Sequence, residues 1–312
     1  MSSVCFLNGR WQPLAEATVP VLDRGFIFGD GVYEVIPVDT VAVDGAPVRA
    51  PFGATPHFAR LARSLARVRI DNPYREHEWL ALLAQLIERH PWPRQLVYLQ
   101  VTRGVAKRDH AFPAGVAPTV FAMASEWPPV PREQIERGIA VVTHTDERWL
   151  HGDIKSTSLL ANVLMKQFAV DHGAAETVML RDGHLTEGSS TNVFVVHGDT
   201  IVAPAKSNLM LPGITYDAVL AIAQARGARI ELRPVPAAEL RLADEVWLSS
   251  SGREVLPIVS IDGAAVGRGV PGPMHARMLA WFQDAKCDDA RRWQAQRAAL
   301  QMAPATASDV HA

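Results

Sequence analysis

Lys155 is the residue on which chemistry can be built. It lies in RWLHGDIKSTSLLANVLMKQF, residues 148–168. Gly152-Asp153-Ile154 leads in and Ser156-Thr157-Ser158 follows. Leu160, Val163, Leu164 and Phe168 then form an apolar stripe at helical spacing. Ser156 to Ser158 are good N-cap residues, so the pattern predicts that Lys155 sits where a strand-like segment gives way to a helix. An amine pinned at such a junction and pointing inward can attack a carbonyl. The same stretch would also suit a surface lysine beside a helix cap, and the rest of the chain decides between the two.

Four other features complement such an amine. Gly188-Ser189-Ser190-Thr191-Asn192 follows Glu187 in a turn between two strand-like runs, placing a carboxylate beside hydroxyls and an amide. Leu211-Pro212-Gly213-Ile214-Thr215 ends in a helix N-terminus, where free backbone N–H groups and the helix dipole favour a phosphate. Ser249-Ser250-Ser251-Gly252 supplies hydroxyls just after a strand, and Arg60 adds a positive charge off the apolar stripe of its helix. Each feature is common alone, because serine-rich turns and helix caps occur in most proteins. Together they describe a site for a phosphorylated carbonyl cofactor: an amine, a phosphate cup and a carboxylate.

The elements that must position these residues follow from periodicity. Residues 4–38 read as short strands and tight turns, with Asn8-Gly9 as a hairpin signal. Glycines 29 and 31 resemble the start of a dinucleotide loop, but Glu34 stands where a third glycine belongs. They are read as tight turns that leave Tyr33 facing a pocket. Residues 39–54 read as a long surface loop. Thr55-Pro56 opens a helix with a buried stripe of Phe58, Leu61, Leu65 and Val68, and 76–89 is a second amphipathic helix. Strands are expected at 96–103 and 119–124, with a polar loop between them that carries Arg108 and His110. Pro128, Pro129 and Pro131 mark an interdomain linker. Beyond it come strands at 139–145, 192–196, 200–202 and 245–249, a hairpin across Asp182-Gly183, and helices at 213–225 and 273–285. The expectation is an α+β chain: a small N-terminal domain over 1–127, a linker over 128–137, a larger domain over 138–286 and a frayed tail over 287–312.

Composition narrows the class. The chain of 312 residues is 48% hydrophobic and 21% charged, an ordinary globular balance. Its formal charge of -2 argues against non-specific binding to nucleic acid or to an anionic membrane. Cys5 and Cys287 lie near opposite ends and form neither a disulfide framework nor a metal spacing. The N-terminus lacks a signal-peptide pattern, and no apolar run approaches the roughly 18 residues of a membrane span. A cytoplasmic protein acting on small molecules, without a metal, is expected.

The stretches LDRGFIFGDGVYEVIPV, HFARL, YLQVTRGVAKRDHAFP, DIKSTSLLANVLMKQ, LTEGSSTNVFVV, LPGIT and EVWLSSSGREVLPI, spread over residues 22–258, resemble the class IV (fold-type IV) pyridoxal-phosphate aminotransferases. Within that family they are most similar to the D-amino acid transaminase group. The resemblance implies pyridoxal 5'-phosphate as cofactor, a larger domain with a β-barrel-like core, and transamination between D-amino acids of the alanine or glutamate type and 2-oxo acids. It implies that Lys155 carries the cofactor and shuttles a proton, while Glu187 pairs with the pyridine nitrogen and keeps it protonated. Arg60, Ile214, Thr215 and Ser251 match phosphate-binding positions, with Gly213 and Ser250 beside them. Leu211 matches a residue packed on the ring, and Ser190, Thr191 and Asn192 support its side. Tyr33 would grip the substrate carboxylate together with Arg108 and His110, two cationic donors that in relatives reach into the neighbouring subunit's site, so a homodimer is implied. His144 and His151 are read as structural.

Two departures stand out. The stretch 39–54 is longer than the family usually has there, and Thr-Pro-His-Phe-Ala-Arg lacks the acidic residue usual beside that histidine. Alternatives within the fold are a branched-chain L-amino acid aminotransferase and a lyase of the aminodeoxychorismate type. Outside it stands an inactive relative serving as a binding protein, against which the intact Lys155, Glu187 and phosphate elements speak.

Overall fold

Two sheets organise the structure, a computed structural model that describes residues 3–302. The first half of the chain runs β1 (Val4–Leu7), β2 (Arg10–Pro13), α1 (Arg24–Phe28), β3 (Gly31–Val43), β4 (Ala46–Pro51), α2 (Ala54–Arg67), α3 (Glu76–Glu88), β5 (Gln95–Thr102) and β6 (Thr119–Glu126). Its six strands lie in the order β2-β1-β6-β5-β3-β4, every pair antiparallel. Alternation sorts the side chains by face. Val32, Ile36, Val97, Leu99 and Val101 pack with Phe58, Leu61 and Leu65 of α2 and with Trp79, Leu83 and Leu86 of α3. Tyr33 and Tyr98 fall on the other face, half-buried and stacked at 5.7 Å.

The proline-rich segment leads to α4 (Arg132–Arg137). There follow β7 (Ile139–Thr145), α5 (Leu160–Asp171), β8 (Glu176–Arg181), β9 (His184–Gly188), β10 (Asn192–His197) and β11 (Thr200–Ala203). The chain ends with α6 (Ile214–Ala225), β12 (Arg229–Leu232), α7 (Ala237–Leu242), β13 (Glu245–Ser250), β14 (Glu254–Ile261), β15 (Ala264–Ala265) and α8 (Pro273–Met302). These nine strands form a second, mixed sheet that curls into a half-barrel, as the expected α+β class requires. Val141, Val193, Val195, Leu248 and Leu256 fill one face. Phe194, Tyr216, Trp247 and Met278 fill the other, beneath α6 and α8. Among the described residues, no helix is long and apolar enough to cross a membrane.

Three local expectations are corrected. Residues 39–54 are not a surface loop: β3 runs on to Val43, turns at Asp44-Gly45 and returns as β4. Pro47 and Pro51 hid the strand, and they are tolerated because β4 is an edge. Helix α2 begins at Ala54, with Gly53 rather than Thr55 at its N-cap. The last helix does not stop at residue 285, and among the described residues the stretch after Cys287 is helical. It continues to Met302, burying Met278 and Phe282 in the second half and Ala290 and Trp293 in the core of the first. Its polar, alanine-rich composition conceals how few apolar residues do this packing. Residues 303–312 of the expected tail lie outside the described residues.

Candidate active site

Lys155 lies on an extended segment that pairs with the start of β3. Tyr33 N donates to Lys155 O at 3.0 Å, Thr157 N donates to Gly31 O at 3.0 Å, and Ser156 bridges Val32. The hydroxyl run does not cap α5, whose N-cap is Leu159. Thr157 and Ser158 instead donate their hydroxyls to Gly29 O, at 2.9 and 3.1 Å. A long-range carbonyl has taken donors that local pattern assigned to the helix. The expected junction survives by this other route. The Lys155 Nζ lies 4.2 Å from the Tyr33 ring centroid, in a cavity of about 310 Å³.

The same cavity is lined by Glu187, near the end of β9, together with Ser190, Thr191, Asn192 and Leu211. Glu187 is buried, and its Oε2 accepts from Asn192 Nδ2 at 3.2 Å and from Leu211 N at 3.1 Å. Its Oε1 accepts from Arg148 Nη1 at 2.5 Å. Burial pushes the Glu187 carboxyl up to about 7, against the pull of the Arg148 guanidinium and the Leu211 N–H. Arg148 also donates Nε and Nη2 to the two oxygens of Asp146, each at 2.9 Å, and Nη2 to Leu209 O at 3.1 Å. Burial raises the Asp146 carboxyl, but its bonds with Arg148 and Thr186 bring it down to about 2. Ser189, Ser190 and Thr191 donate their hydroxyls to the buried carboxylate of Glu176, which fixes the turn.

Neither Arg148 nor Glu176 was singled out from sequence. Arg148 stands inside the stretch around Lys155, but its partner Glu187 is 39 positions away and no periodic signal links them. Glu34 and His57 were missed as well. Glu34 is fully buried on the helix-facing side of β3 between Val32 and Ile36, and an acid in such an apolar run was the available signal.

Arg60 answers Glu34. Although it falls off the apolar stripe of α2, it is buried and grips Glu34 with Nε and Nη2 at 2.8 and 2.7 Å. His57 contacts the same carboxylate through Nδ1 at 2.7 Å. Burial works to raise the Glu34 carboxyl, but the Arg60 charge and the bonds from Arg60 and His57 bring it down to about 2. The Arg60 Nη1 donates to Pro212 O at 3.0 Å, just before Gly213, the N-cap of α6. These bonds use three of the five N–H groups that a guanidinium carries.

The first turn of α6, Ile214 and Thr215, is therefore joined to Arg60, and its leading N–H groups have no partner within the helix. Asn192 packs so closely on Gly213 that a Cβ there would meet its Oδ1 at 2.1 Å. Ser249, the cross-strand partner of Asn192, is buried with its hydroxyl unpartnered among the described residues. Ser250 and Ser251 follow, half-buried. Helix N–H groups, an arginine and an orphaned hydroxyl form a donor set suited to an anion. This cup does not line the cavity itself but lies past its Asn192–Leu211 end.

Arg108 and His110 are exposed and are not brought into this chain's own cavity. Both pack on Phe28, with the Arg108 guanidinium carbon and the His110 ring 5.3 Å from its centroid. Phe28 in turn lines a groove with Leu160 at the start of α5. Phe26 of α1 and Leu160 of α5 are 72% and 73% exposed, and Val21, Val163 and Leu164 are also open. His144 and His151 hold structural contacts, edge-on to Phe168 and Trp149.

The family model for amino-transferase class IV matches residues 31–261. A D-alanine aminotransferase of Bacillus licheniformis is 40% identical over 277 residues, covering 89% of this chain and 95% of that protein. One from Staphylococcus haemolyticus is 37% identical over 278 residues, covering 89% and 95%. Among solved structures, the branched-chain amino acid aminotransferase from Escherichia coli superposes with a TM-score of 0.82. It is 25% identical, with 90% of this chain and 93% of that chain covered. A T.th. branched-chain amino acid aminotransferase with pyridoxamine 5'-phosphate gives 0.84 at 25% identity, covering 91% and 94%.

Proposed function

Because the chain belongs to the class IV amino-transferase family, we propose that it transfers amino groups between D-amino acids of the alanine or glutamate type and 2-oxo acids, with pyridoxal 5'-phosphate as cofactor. The observation that carries this reading is the cavity in which Lys155, Tyr33 and Glu187 share one space with an anion cup beyond it, in a chain 40% identical to a D-alanine aminotransferase. The orphaned Ser249 hydroxyl and the open first turn of α6 fit the cofactor's phosphate. When bound, the cofactor supplies an aldehyde for an amine and a ring that accepts electrons from the substrate's α carbon.

This chain's residues then divide the work. Lys155 Nζ provides the amine and moves the proton at the substrate's α carbon. Glu187 accepts a hydrogen bond from the ring nitrogen, and Arg148 and Asn192 keep its carboxylate aimed there. Arg60, Gly213, Ile214, Thr215, Ser250 and Ser251 hold the phosphate, while Leu211 covers the ring and excludes water. Tyr33 holds the substrate carboxylate, joined by the partner's Arg108 and His110.

The homodimer in this reading is supported by the apolar side chains that α1 and α5 leave exposed, Phe26, Leu160, Val163 and Leu164 among them. Arg108 and His110, packed on Phe28, would cross at that interface. A reducing, cytoplasmic setting is part of the same reading, supported by two free cysteines.

A branched-chain L-amino acid aminotransferase is the second reading, favoured by the structural neighbours. The test is a half-reaction: holoenzyme is mixed with D-alanine or with L-leucine, and conversion of the bound cofactor to its amine form is followed by absorbance. A carboxylate held on the Tyr33 side turns the α hydrogen of a D-amino acid toward Lys155. One charged hydrogen bond of about 1.5–3 kcal/mol then gives a ten- to hundredfold preference for D-alanine. Faster conversion by L-leucine would put the branched-chain reading in its place.

A further inference from the structure

The part of α8 that runs past Cys287 lies outside the matched family region, yet it is tied to the helix that carries Arg60. Asp289 Oδ2 accepts a hydrogen bond from Gly53 N at 2.6 Å, and Gln296 Nε2 donates to Thr55 Oγ1 at 3.2 Å. Gly53 is the N-cap of α2 and has no side chain with which to cap it. Asp289 therefore does from 236 positions away what the third-residue carboxylate of a capping box does locally: it binds the N-cap N–H and puts negative charge at the helix's positive end.

That same spot touches the anion cup. A Cβ on Gly53 would meet Ile214 Cγ2 at 2.8 Å, so the start of α2 abuts the first residue of α6. Two turns on, Arg60 donates to Pro212 O. Helices α2 and α6 thus meet at Gly53–Ile214 and at Arg60–Pro212, and Asp289 holds the α2 end of the pair. Helix α8 is itself well anchored. Lys286 Nζ lies 2.7 Å from both Asp39 of the first sheet and Glu254 of the second, Phe282 packs on Phe52 at 4.9 Å, and Trp293 is 2% exposed in the first core.

We infer that Asp289 is a positioning residue for the phosphate cup, holding α2 so that Arg60 and the first turn of α6 converge on one anion. The inference rests on the cup being the phosphate site.

The experiment compares two probes, pyridoxal 5'-phosphate and pyridoxal, titrated into enzyme stripped of cofactor. Asp289→Ala should weaken pyridoxal 5'-phosphate about fivefold, the scale of one lost helix cap, and leave pyridoxal within about twofold. Asp289→Asn keeps an acceptor and should stay near the parent. Gln296→Ala removes only a half-buried amide, leaves the fold intact, and should shift the same ratio in the same direction. An unchanged ratio in both alanine variants, or equal weakening of the two probes, overturns the inference. Thr215→Val is the reference arm. If it too leaves the ratio unmoved, the phosphate-cup reading has failed; if it lowers the ratio while the Asp289 and Gln296 variants do not, only the role of Asp289 has.

Discussion

Replacing Arg148 with Met should move the pH dependence of turnover, not merely lower the rate. Arg148 stands between two buried carboxylates, bonded to Glu187 Oε1 at 2.5 Å and to both oxygens of Asp146 at 2.9 Å. Burial pushes Glu187 up to about 7, and the Arg148 charge is the largest influence keeping it from going higher. Removing a cation at that distance lifts a carboxyl by about 1–3 pKa units. The acid limb of kcat/KM should therefore move alkaline by a pH unit or more. Near neutral pH the ionised fraction of Glu187 then falls about tenfold or further, and kcat/KM with it, each factor of ten being worth about 1.4 kcal/mol. Part of the loss returns as pH rises, because the ionised form lies on the alkaline side. Breaking the buried pair also costs about 3–5 kcal/mol of stability, read as a lower Tm. Arg148→Lys keeps the charge and should retain most of the parent's profile. The assay is kcat/KM for D-alanine from about pH 6 to about pH 9, which brackets the Glu187 value. The cofactor's visible band reports loading throughout. An acid limb that stays put in Arg148→Met would show that Arg148 does not govern the ionisation of Glu187.

The remaining predictions test the other walls of the site. Lys155→Ala should abolish transamination and the visible band of the protein-bound cofactor, and turnover at a comparable rate would remove Lys155 from its role. Glu187→Gln should retain cofactor while kcat falls by about 100-fold, a loss of about 3 kcal/mol; near-normal kcat would exclude Glu187. Arg108→Leu should raise KM for D-alanine and erode the preference over L-leucine, with kcat the less affected; an unaltered KM would sink the grip across the dimer. Glu34 has a folded-state pKa of about 2, below its ordinary 4.5, so its stabilisation is complete above pH 4.5 and disappears as pH falls toward 2. That difference is worth about 3 kcal/mol, so Glu34→Gln should flatten the decline of Tm across this window. A decline as steep as the parent's would mean that other carboxylates govern acid unfolding.

What sequence reveals here divides along physical lines. Lys155 and Glu187 were legible because a lone amine and a carboxylate stand out beside glycine turns and hydroxyl runs, Leu211 only through the family resemblance, and the structure gathers all three at one cavity. Two hairpins of the second half were legible because Asp182-Gly183 and Gly198-Asp199 suit tight turns. What stayed hidden depends on distant partners. Thr157 and Ser158 had to meet Gly29 before their hydroxyls could be assigned, and Arg148 had to meet Glu187. The stripe on α5 reads equally well for a buried face or an interface, and only the fold shows that Leu160 and Val163 remain open. The end of α8 looked like a solvated tail because Ala290 and Trp293 carry its packing almost alone.

The reach of α8 also sets an order of events during synthesis. Ala290 and Trp293 complete the core of a sheet whose strands are all made before residue 127. A nascent chain usually closes its first folding unit well before its last segment emerges. Here the core of the first unit stays open at those two side chains until residue 293 has left the ribosome. Chains broken off early would expose that gap as apolar surface and would be taken up by chaperones or degraded.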